Sequence, residues 1–172
     1  MWEFLWTSDL FYHKVAVFRE AKLWDLRIEE KKKLLRNGLY VAKKEREDFL
    51  FLSNGLKVFC SEAFPKGQEK IVQVLQEERE GKLAEVSQKI EMTTPYFVFF
   101  PYERGVHLSR KIQEKEERER LQNIFQPYRE RASFLIRTEA KGQQEESLKE
   151  EIQKMLKEWE QIQKRAFELR ER

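Results

Sequence analysis

The order of apolar and polar positions predicts that the chain begins with a β-hairpin. In residues 13–29, Trp24, Leu26 and Ile28 fall on one face, and the residues between them fall on the other. Alternation with a period of two is typical of a half-buried strand. The pattern predicts two strands that turn near Glu20-Ala21.

The next part of the chain carries closely spaced turn signals. Asn37-Gly38 and Asn54-Gly55 favour turns, and Pro65-Lys66-Gly67 interrupts any strand. Short apolar runs separate these signals and predict strands at Leu39–Ala42, Phe49–Leu52, Lys57–Cys60 and Lys70–Leu75. Several short strands in so few residues are typical of a small antiparallel barrel, which we place at residues 35–90.

The remaining residues, 91–172, combine strands and helices. Tyr96–Pro101 is an apolar run bracketed by prolines, and Ser133–Thr138 is a second strand-like run. Residues Ser109–Tyr128 carry charge pairs at helical spacing and predict a helix. Glu145–Arg172 predicts a second, longer helix.

The long helix carries a narrow apolar seam with alternating steps of four and three residues. Its members are Leu148, Ile152, Met155, Trp159, Ile162, Ala166 and Leu169. Such a seam packs either on the strands of its own domain or on another helix in a coiled coil. We favour packing within the domain, because the seam lies near the lower length limit for a coiled coil, about three heptads.

Composition allows a folded core but does not identify a partner. Apolar residues make up 40% of the 172 residues and charged residues 38%. The 34 basic and 31 acidic residues give a net charge of +3, so any site for nucleic acid must be a local basic patch.

Targeting and redox signals are weak. We expect no membrane span, because no apolar run approaches the roughly 18–20 residues that a span requires. The aromatic N-terminus has no basic leader, so we do not expect a signal peptide. Cys60 is the single cysteine of the sequence, so it forms no internal disulfide and no cysteine-based zinc site, and a reducing cytoplasm is the expected location.

The second strand of the C-terminal part ends in Arg137 and Thr138, a pair suited to phosphate. The arginine guanidinium matches phosphate oxygens with two parallel hydrogen bonds, and a threonine hydroxyl adds a donor. A terminal phosphate monoester carries about −1.5 to −2 charges near neutral pH. The alternative is a surface salt bridge between Arg137 and a nearby glutamate, which the residues alone favour.

Several segments together resemble a known family. They are VAVFREAKLWDLRIE in the hairpin, KGQEKIVQVLQEEREGK at 66–82, TPYFVFFPYERGVHLSRKIQEKEERERL at 94–121 and SFLIRTEAKG at 133–142, followed by LKEWEQIQKRA in the last helix. In this order the chain resembles the N-terminal half of the ribonuclease E/G family of bacterial endoribonucleases.

The resemblance implies an α+β fold in three parts. These are an N-terminal hairpin from a ribonuclease-H-like subdomain (1–34), a shortened OB-type RNA-binding barrel (35–90), and a strand-and-helix domain (91–172) that senses a 5′-monophosphate and ends in the long helix. The implied partner is single-stranded RNA with a 5′-monophosphate, in RNA processing or decay.

The resemblance also implies site residues in the last part. Arg137 and Thr138 match the family's phosphate-binding arginine and threonine, and Val98 falls where a backbone N–H joins them. Arg110 and Lys111 match a basic pair, of which Arg110 meets the first nucleotide.

In the barrel, Phe51 and Phe59 match aromatic positions that pack RNA bases, and Lys82 matches a basic position beside them. Aromatic rings stack bases while lysine holds the backbone. The alternative is that both phenylalanines belong to the barrel core, and the sequence leaves the two interpretations even.

The catalytic part of the family is expected to lie outside this chain. The resemblance places the family's magnesium-binding aspartates and zinc-binding cysteines in that part, so we assign no catalytic residue and no metal ligand here. Asp9, Asp25 and Asp48 lie in separate segments. The alternative to RNA binding is a self-associating interaction module that uses the C-terminal helix. A second candidate surface for self-association is an N-terminal aromatic face made of Trp2, Phe4, Leu5, Trp6 and Phe11.

Overall fold

The computed structural model describes residues 2–8, 12–19, 22–30, 34–46, 49–53, 55–79 and 81–168. The chain begins with three antiparallel strands in the order β1-β2-β3. They are β1 (Trp2–Ser8), β2 (Tyr12–Arg19) and β3 (Lys22–Glu30). The predicted hairpin is β2–β3, and β1 extends it by one strand. The proposed aromatic face of Trp2, Phe4, Leu5, Trp6 and Phe11 lies outside the side chains that the structure describes.

A closed five-stranded barrel follows, in the order β4-β5-β6-β8-β7. Its strands are β4 (Leu39–Arg46), β5 (Phe49–Leu52), β6 (Lys57–Phe59), β7 (Glu69–Gln76) and β8 (Glu85–Ser87). The sequence predicted an antiparallel barrel, but one pairing in the observed barrel is parallel. Strands β6 and β8 pair in parallel where Phe59 meets Glu85, and this contact closes the barrel.

Alternation along the barrel strands separates an apolar interior from the outer surface. Leu50, Leu52 and Val58 are buried in the barrel core, while their neighbours along β5 and β6 are exposed. Since successive side chains of a strand point to opposite faces, the FLFL and KVF runs each place one set of residues inside and the other outside.

A second sheet has the order β11-β12-β10-β9. Its strands are β9 (Met92–Thr93), β10 (Phe97–Phe100), β11 (Gly105–Leu108) and β12 (Ser133–Ile136). The predictions of β10 and β12 are confirmed, whereas β9 and β11 were not predicted. Strands β11 and β12 run parallel, and the other pairings in this sheet are antiparallel.

The first helix is shorter than predicted. Helix α1 spans Lys115–Phe125, and a 3₁₀ turn follows at Gln126–Tyr128. Residues 109–113 form a turn rather than the first part of the helix. The Arg118 guanidinium donates hydrogen bonds to the carbonyl oxygens of Ser109, at 3.3 Å, and Ile112, at 2.8 Å, and so holds this turn.

The second helix, α2 (Glu145–Glu168), covers one face of the second sheet. Leu148, Ile152, Met155 and Trp159 are buried in a core that also contains Phe97, Phe99, Phe125 and Phe134, whose rings meet edge to face. The prediction that the seam packs on its own domain is confirmed from Leu148 to Ala166, and Leu169 lies outside the described residues. Ile71 of β7 enters the same core, which joins the barrel to the sheet.

In the described part of the chain, neither helix is long and apolar enough to cross a membrane.

Candidate nucleic-acid interface

The parallel strands β11 and β12 bring two polar segments together. Leu108 pairs with Ile136 at the end of both strands, and the Ser109 N–H donates to the Ile136 carbonyl at 2.8 Å. The Ser109 and Thr138 hydroxyl oxygens lie 3.4 Å apart. The carboxyl ends of parallel strands meet at one edge of a sheet, where many α/β proteins bind ligands. Residues 109–111 and 137–138 share such an edge.

Arg137 stands where the sheet ends. Strand β12 stops at Ile136, and a 3₁₀ turn begins at Thr138, so the arginine side chain leaves the ladder. Its Nη1 donates to the Thr94 carbonyl at 2.9 Å, and its Nε lies 3.6 Å from a carboxylate oxygen of Glu139. The expected salt bridge to a nearby glutamate is therefore present. With 39% of its side chain exposed, the guanidinium remains open to a further anion.

The basic pair Arg110 and Lys111 occupies the turn beside Thr138. Both side chains are exposed. The Lys111 N–H donates to the Ser109 hydroxyl at 3.3 Å, and Arg118 holds the carbonyl groups on either side of the pair. These hydrogen bonds hold the backbone of the turn, while the side chains of Arg110 and Lys111 face solvent.

A glutamate in α1 fixes the loop that follows the 3₁₀ turn. Glu117 accepts hydrogen bonds from two nitrogens of Arg120, at 2.7 and 2.8 Å, and from the N–H of Gly142 at 2.9 Å. These bonds, led by those from Arg120, lower the pKa of Glu117 to about 2 against the opposing effect of its partial burial. Gly142 has a φ of +69°, a conformation that glycine adopts without strain. The loop after Thr138 is thereby anchored to α1.

Val98 lies in the middle of β10, opposite Leu135 of β12 and Thr93 of β9. The bonds from Arg137 N–H to Tyr96 O and from Thr94 N–H to Phe97 O set the register on both sides. In that antiparallel register the Val98 N–H faces Leu135. The amide of Val98 belongs to the sheet ladder, whereas Arg137 and Thr138 stand at its end.

The barrel presents a second cluster, of aromatic and basic side chains. Phe51 and Phe59 are 36% and 41% exposed, and the interpretation that they form barrel core is wrong. Phe49, which the sequence analysis did not select, is 36% exposed on the same face and pairs directly with Phe59. The strict FLFL alternation could have identified it, since Phe49 and Phe51 must share a face.

Lysines surround these rings. Phe51 lies between Lys43 of β4 and Lys57 of β6 in the ladder. The Lys57 ammonium lies 3.6 Å from the centroid of the Phe49 ring. Lys82, which pairs with Arg79 in a tight turn, lines a groove of about 660 Å³ together with Phe49 and Phe59. Lys82 was predicted from the sequence, whereas Lys43 and Lys57 were not.

In the described segments, no group of three or more His, Cys, Asp and Glu side chains is arranged to hold a metal ion.

Comparison with known proteins concerns the part of the chain that contains Arg110, Arg137 and Thr138. The model of the Ribonuclease E/G family matches residues 91–172, the part that holds β10, β11, β12 and both helices. The resemblance to the ribonuclease E/G family is confirmed. This ribonuclease E/G-like chain carries its Arg110, Arg137 and Thr138 within the matched residues.

Individual relatives agree with the family match. Ribonuclease E of Synechocystis sp. is 36% identical over 108 residues, which are 62% of this chain and 16% of that protein. Ribonuclease E of Nostoc sp. is 37% identical over 100 residues, 58% of this chain and 15% of that protein. Ribonuclease G of Haemophilus influenzae is 32% identical over 103 residues, 59% of this chain and 21% of that protein. The ribonuclease E/G-like chain thus matches only a small share of the length of these relatives.

Proposed function

We propose that this ribonuclease E/G-like chain binds single-stranded RNA and recognises a 5′-monophosphate at its end, as the N-terminal part of a cytoplasmic endoribonuclease that acts in RNA processing or decay. The observation that carries the proposal is the meeting of Ser109–Lys111 with Arg137 and Thr138 at one edge of the second sheet. The family match over residues 91–172 supports it.

The chemistry of this edge suits a doubly charged terminal phosphate. Arg137 offers a planar set of donors, of which one is engaged by the Thr94 carbonyl. Thr138 offers a hydroxyl, and Arg110 is exposed on the adjoining turn. A phosphate with about −1.5 to −2 charges attracts this group more strongly than a hydroxyl terminus does.

The Glu139 carboxylate is the resident partner of Arg137 that a phosphate would replace. The pair is held at 3.6 Å and both side chains are substantially exposed. Ion pairs of this kind contribute only about 0–1 kcal/mol, because water screens them. The proposed phosphate contact is stronger, since it adds charge and hydrogen bonds from two residues.

The barrel would hold the RNA body. Phe51 and Phe59 present exposed rings for base stacking, and Lys82 stands beside them for the phosphate backbone. Stacking of a base on an aromatic ring contributes roughly 1–3 kcal/mol and tolerates any sequence. The proposal concerns binding and assigns no cleavage step, magnesium ion or zinc ion to these residues.

Self-association through α2 is not part of the proposal, because Leu148, Ile152 and Trp159 of its seam are already buried in the core of the same chain.

The test measures the affinity of the full chain for one RNA oligonucleotide prepared with a 5′-monophosphate or with a 5′-hydroxyl. We expect measurable binding of both and tighter binding of the monophosphate form. Equal affinity would overturn the assignment of 5′-end recognition. Absence of binding to either form would overturn the assignment of RNA binding.

A further inference from the structure

We propose that Glu117 of α1 is a positioning residue for the 5′-phosphate site. It holds the loop that follows Thr138, and this loop keeps the threonine hydroxyl where the phosphate binds. Glu117 acts through the loop and does not itself contact the phosphate. The inference rests on the proposed recognition of a 5′-monophosphate, and it names a residue outside the site on which that recognition depends.

A row of residues at the start of α1 meets the loop. Glu114, Glu117 and Arg120 are spaced by three positions, so they lie along one face of the helix. The row bonds to three successive loop residues, in the pairs Glu114–Lys141, Glu117–Gly142 and Arg120–Gln143. The loop is thereby attached to the helix at three consecutive points.

Glu117 and Arg120 hold the backbone of the loop. Glu117 accepts a hydrogen bond from the Gly142 N–H at 2.9 Å, and Arg120 donates to the Gln143 carbonyl at 3.1 Å. The two side chains also pair with each other and are only 20% and 34% exposed. Hydrogen bonds to charged groups are stronger than neutral ones, and the pKa of Glu117, about 2, agrees with a carboxylate held by several donors. The pair therefore supplies one acceptor and one donor to the loop.

The hold on Gly142 reaches Thr138 through a short stretch of backbone. The Lys141 N–H donates to the Thr138 carbonyl at 3.1 Å, and Ala140 between them is fully buried. Threonine is β-branched, so its hydroxyl has few orientations on a given backbone. Fixing the loop therefore fixes the position of the Thr138 hydroxyl.

The residue next to Glu117 holds the other half of the site. The Arg118 guanidinium donates to the carbonyl oxygens of Ser109 and Ile112, on either side of the basic pair. One turn of α1 thus fixes both segments, which meet where the hydroxyl oxygens of Ser109 and Thr138 lie 3.4 Å apart. A site that is ordered before binding loses less conformational entropy when the ligand arrives, so it binds more tightly.

Charge and geometry predict different results when Glu117 is replaced. A carboxylate near an anion site repels phosphate, so an effect of charge would make Glu117→Gln bind the monophosphate more tightly and would leave Glu117→Asp unchanged. An effect of position predicts that only the Asp variant is impaired. The Gln side chain has the length of Glu and keeps an oxygen for the Gly142 N–H, whereas the Asp side chain is one methylene shorter and does not reach it.

The experiment titrates one RNA oligonucleotide, prepared with a 5′-monophosphate or a 5′-hydroxyl, with the full chain and follows fluorescence anisotropy. We expect Glu117→Asp to weaken binding of the monophosphate form about tenfold, as the loss of one hydrogen bond to a charged group requires, and to leave the hydroxyl form nearly unchanged. We expect Glu117→Gln to keep the preference of the unmodified chain for the monophosphate. Because the preference compares two ligands on the same sample, an unfolded fraction lowers both affinities alike.

Two control variants separate positioning from general effects on the fold. Glu119→Asp makes the same change on the same helix, at an exposed side chain 4.0 Å from Lys115. Ile152→Ala removes buried side-chain volume from the core between α2 and the sheet. We expect both controls to keep the preference for the monophosphate.

The proposal is overturned if Glu117→Asp keeps the preference, or if Glu117→Gln loses as much of it as Glu117→Asp does. If Arg137→Ala abolishes the preference in the same assay while Glu117→Asp keeps it, recognition of the 5′ end stands and only the positioning role is wrong. If the unmodified chain shows no preference for the monophosphate, the proposed recognition of the 5′ end fails and the positioning role fails with it.

Discussion

The hydroxyl oxygens of Ser109 and Thr138 lie 3.4 Å apart, although 29 positions separate the two residues in the chain. Parallel pairing of β11 with β12 produces this contact, because both strands end at the same edge of the sheet. The contact places the turn that carries Arg110 beside the strand end that carries Arg137. It is the structural basis for the proposed anion site, which two distant segments of the chain would form.

Replacement of Arg137 should remove discrimination between RNA 5′ ends. We expect Arg137→Ala to weaken binding of 5′-monophosphate RNA by roughly 1.5–3 kcal/mol, as for a hydrogen bond to a charged group, and to leave binding of 5′-hydroxyl RNA nearly unchanged. Fluorescence anisotropy titrations with both oligonucleotides measure the difference.

Arg131→Ala serves as the control for this charge change, because Arg131 precedes β12 at the opposite edge of the sheet and pairs with Glu160. Equal losses for the two oligonucleotides would show that Arg137 contacts only the RNA backbone, since such a contact does not depend on the end group.

Replacement of Glu139 should strengthen the binding of a 5′-monophosphate at the same site. The carboxylate competes with the incoming phosphate for Arg137, so Glu139→Gln should tighten binding of 5′-monophosphate RNA by a few-fold, in line with the roughly 0–1 kcal/mol of an exposed pair. Glu130→Gln removes the same charge at the other end of β12, where Glu130 pairs with Arg129. If the two variants change affinity alike, the effect comes from net charge and the competition does not occur.

Glu117 should contribute to stability in a way that depends on pH. Its pKa falls from 4.5 to about 2 in the folded chain, so the folded state binds its proton less readily than the unfolded state. The contribution is complete above pH 4.5 and is lost as the pH falls from 4.5 to about 2.

Urea unfolding of the unmodified chain and of Glu117→Gln measures this contribution. We expect the variant to be less stable by roughly 1–2 kcal/mol at pH 7, where the charged hydrogen bonds are intact, and the gap to narrow below pH 4. A gap that stays constant over this range would mean that ionisation of Glu117 does not stabilise the fold.

Truncation within the α2 seam should reduce stability without changing the state of association. Ile152 is fully buried in the core with Leu148. Ile152→Ala should therefore lower the free energy of unfolding by about 2–5 kcal/mol, while light scattering after gel filtration gives the same mass for both proteins. Lys154→Ala, an exposed position on the same helix, should leave stability within about 0.5 kcal/mol. A drop in mass for Ile152→Ala would show that the seam also holds a second chain.

The period-two pattern of a single strand was sufficient to predict which of its residues share a face. The alternation of FLFL determines that Phe49 and Phe51 fall on one face of β5 and that Leu50 and Leu52 fall on the other. Only the pairing of β5 with β6 places Phe59 on the same face as Phe49. The pattern could not tell which face of β5 is the core, because both faces of that strand are apolar. Closure of the barrel decided it, with the smaller aliphatic residues inside and the rings outside.

The helical prediction for 109–128 failed at its start for a related reason. Charge pairs at helical spacing describe which side chains are compatible with a helix, but they do not report competing hydrogen bonds. Arg118 binds the carbonyl groups of Ser109 and Ile112, and Ser109 also pairs with the end of β12. These tertiary contacts favour a turn, and the helix begins only at Lys115.

The sequence by itself determined the strand and helix periods, the apolar seam of α2, and the position of Arg137 and Thr138 at the end of a strand. It could not determine β9, which has only two residues, or β11, whose Gly-Val-His-Leu segment is not an apolar run. Nor could it determine the parallel pairing that joins Ser109 to Thr138. Periodicity is a property of neighbouring residues, whereas strand pairing depends on hydrogen bonds between segments far apart in the chain. Only the tertiary structure therefore decided which polar residues share one site.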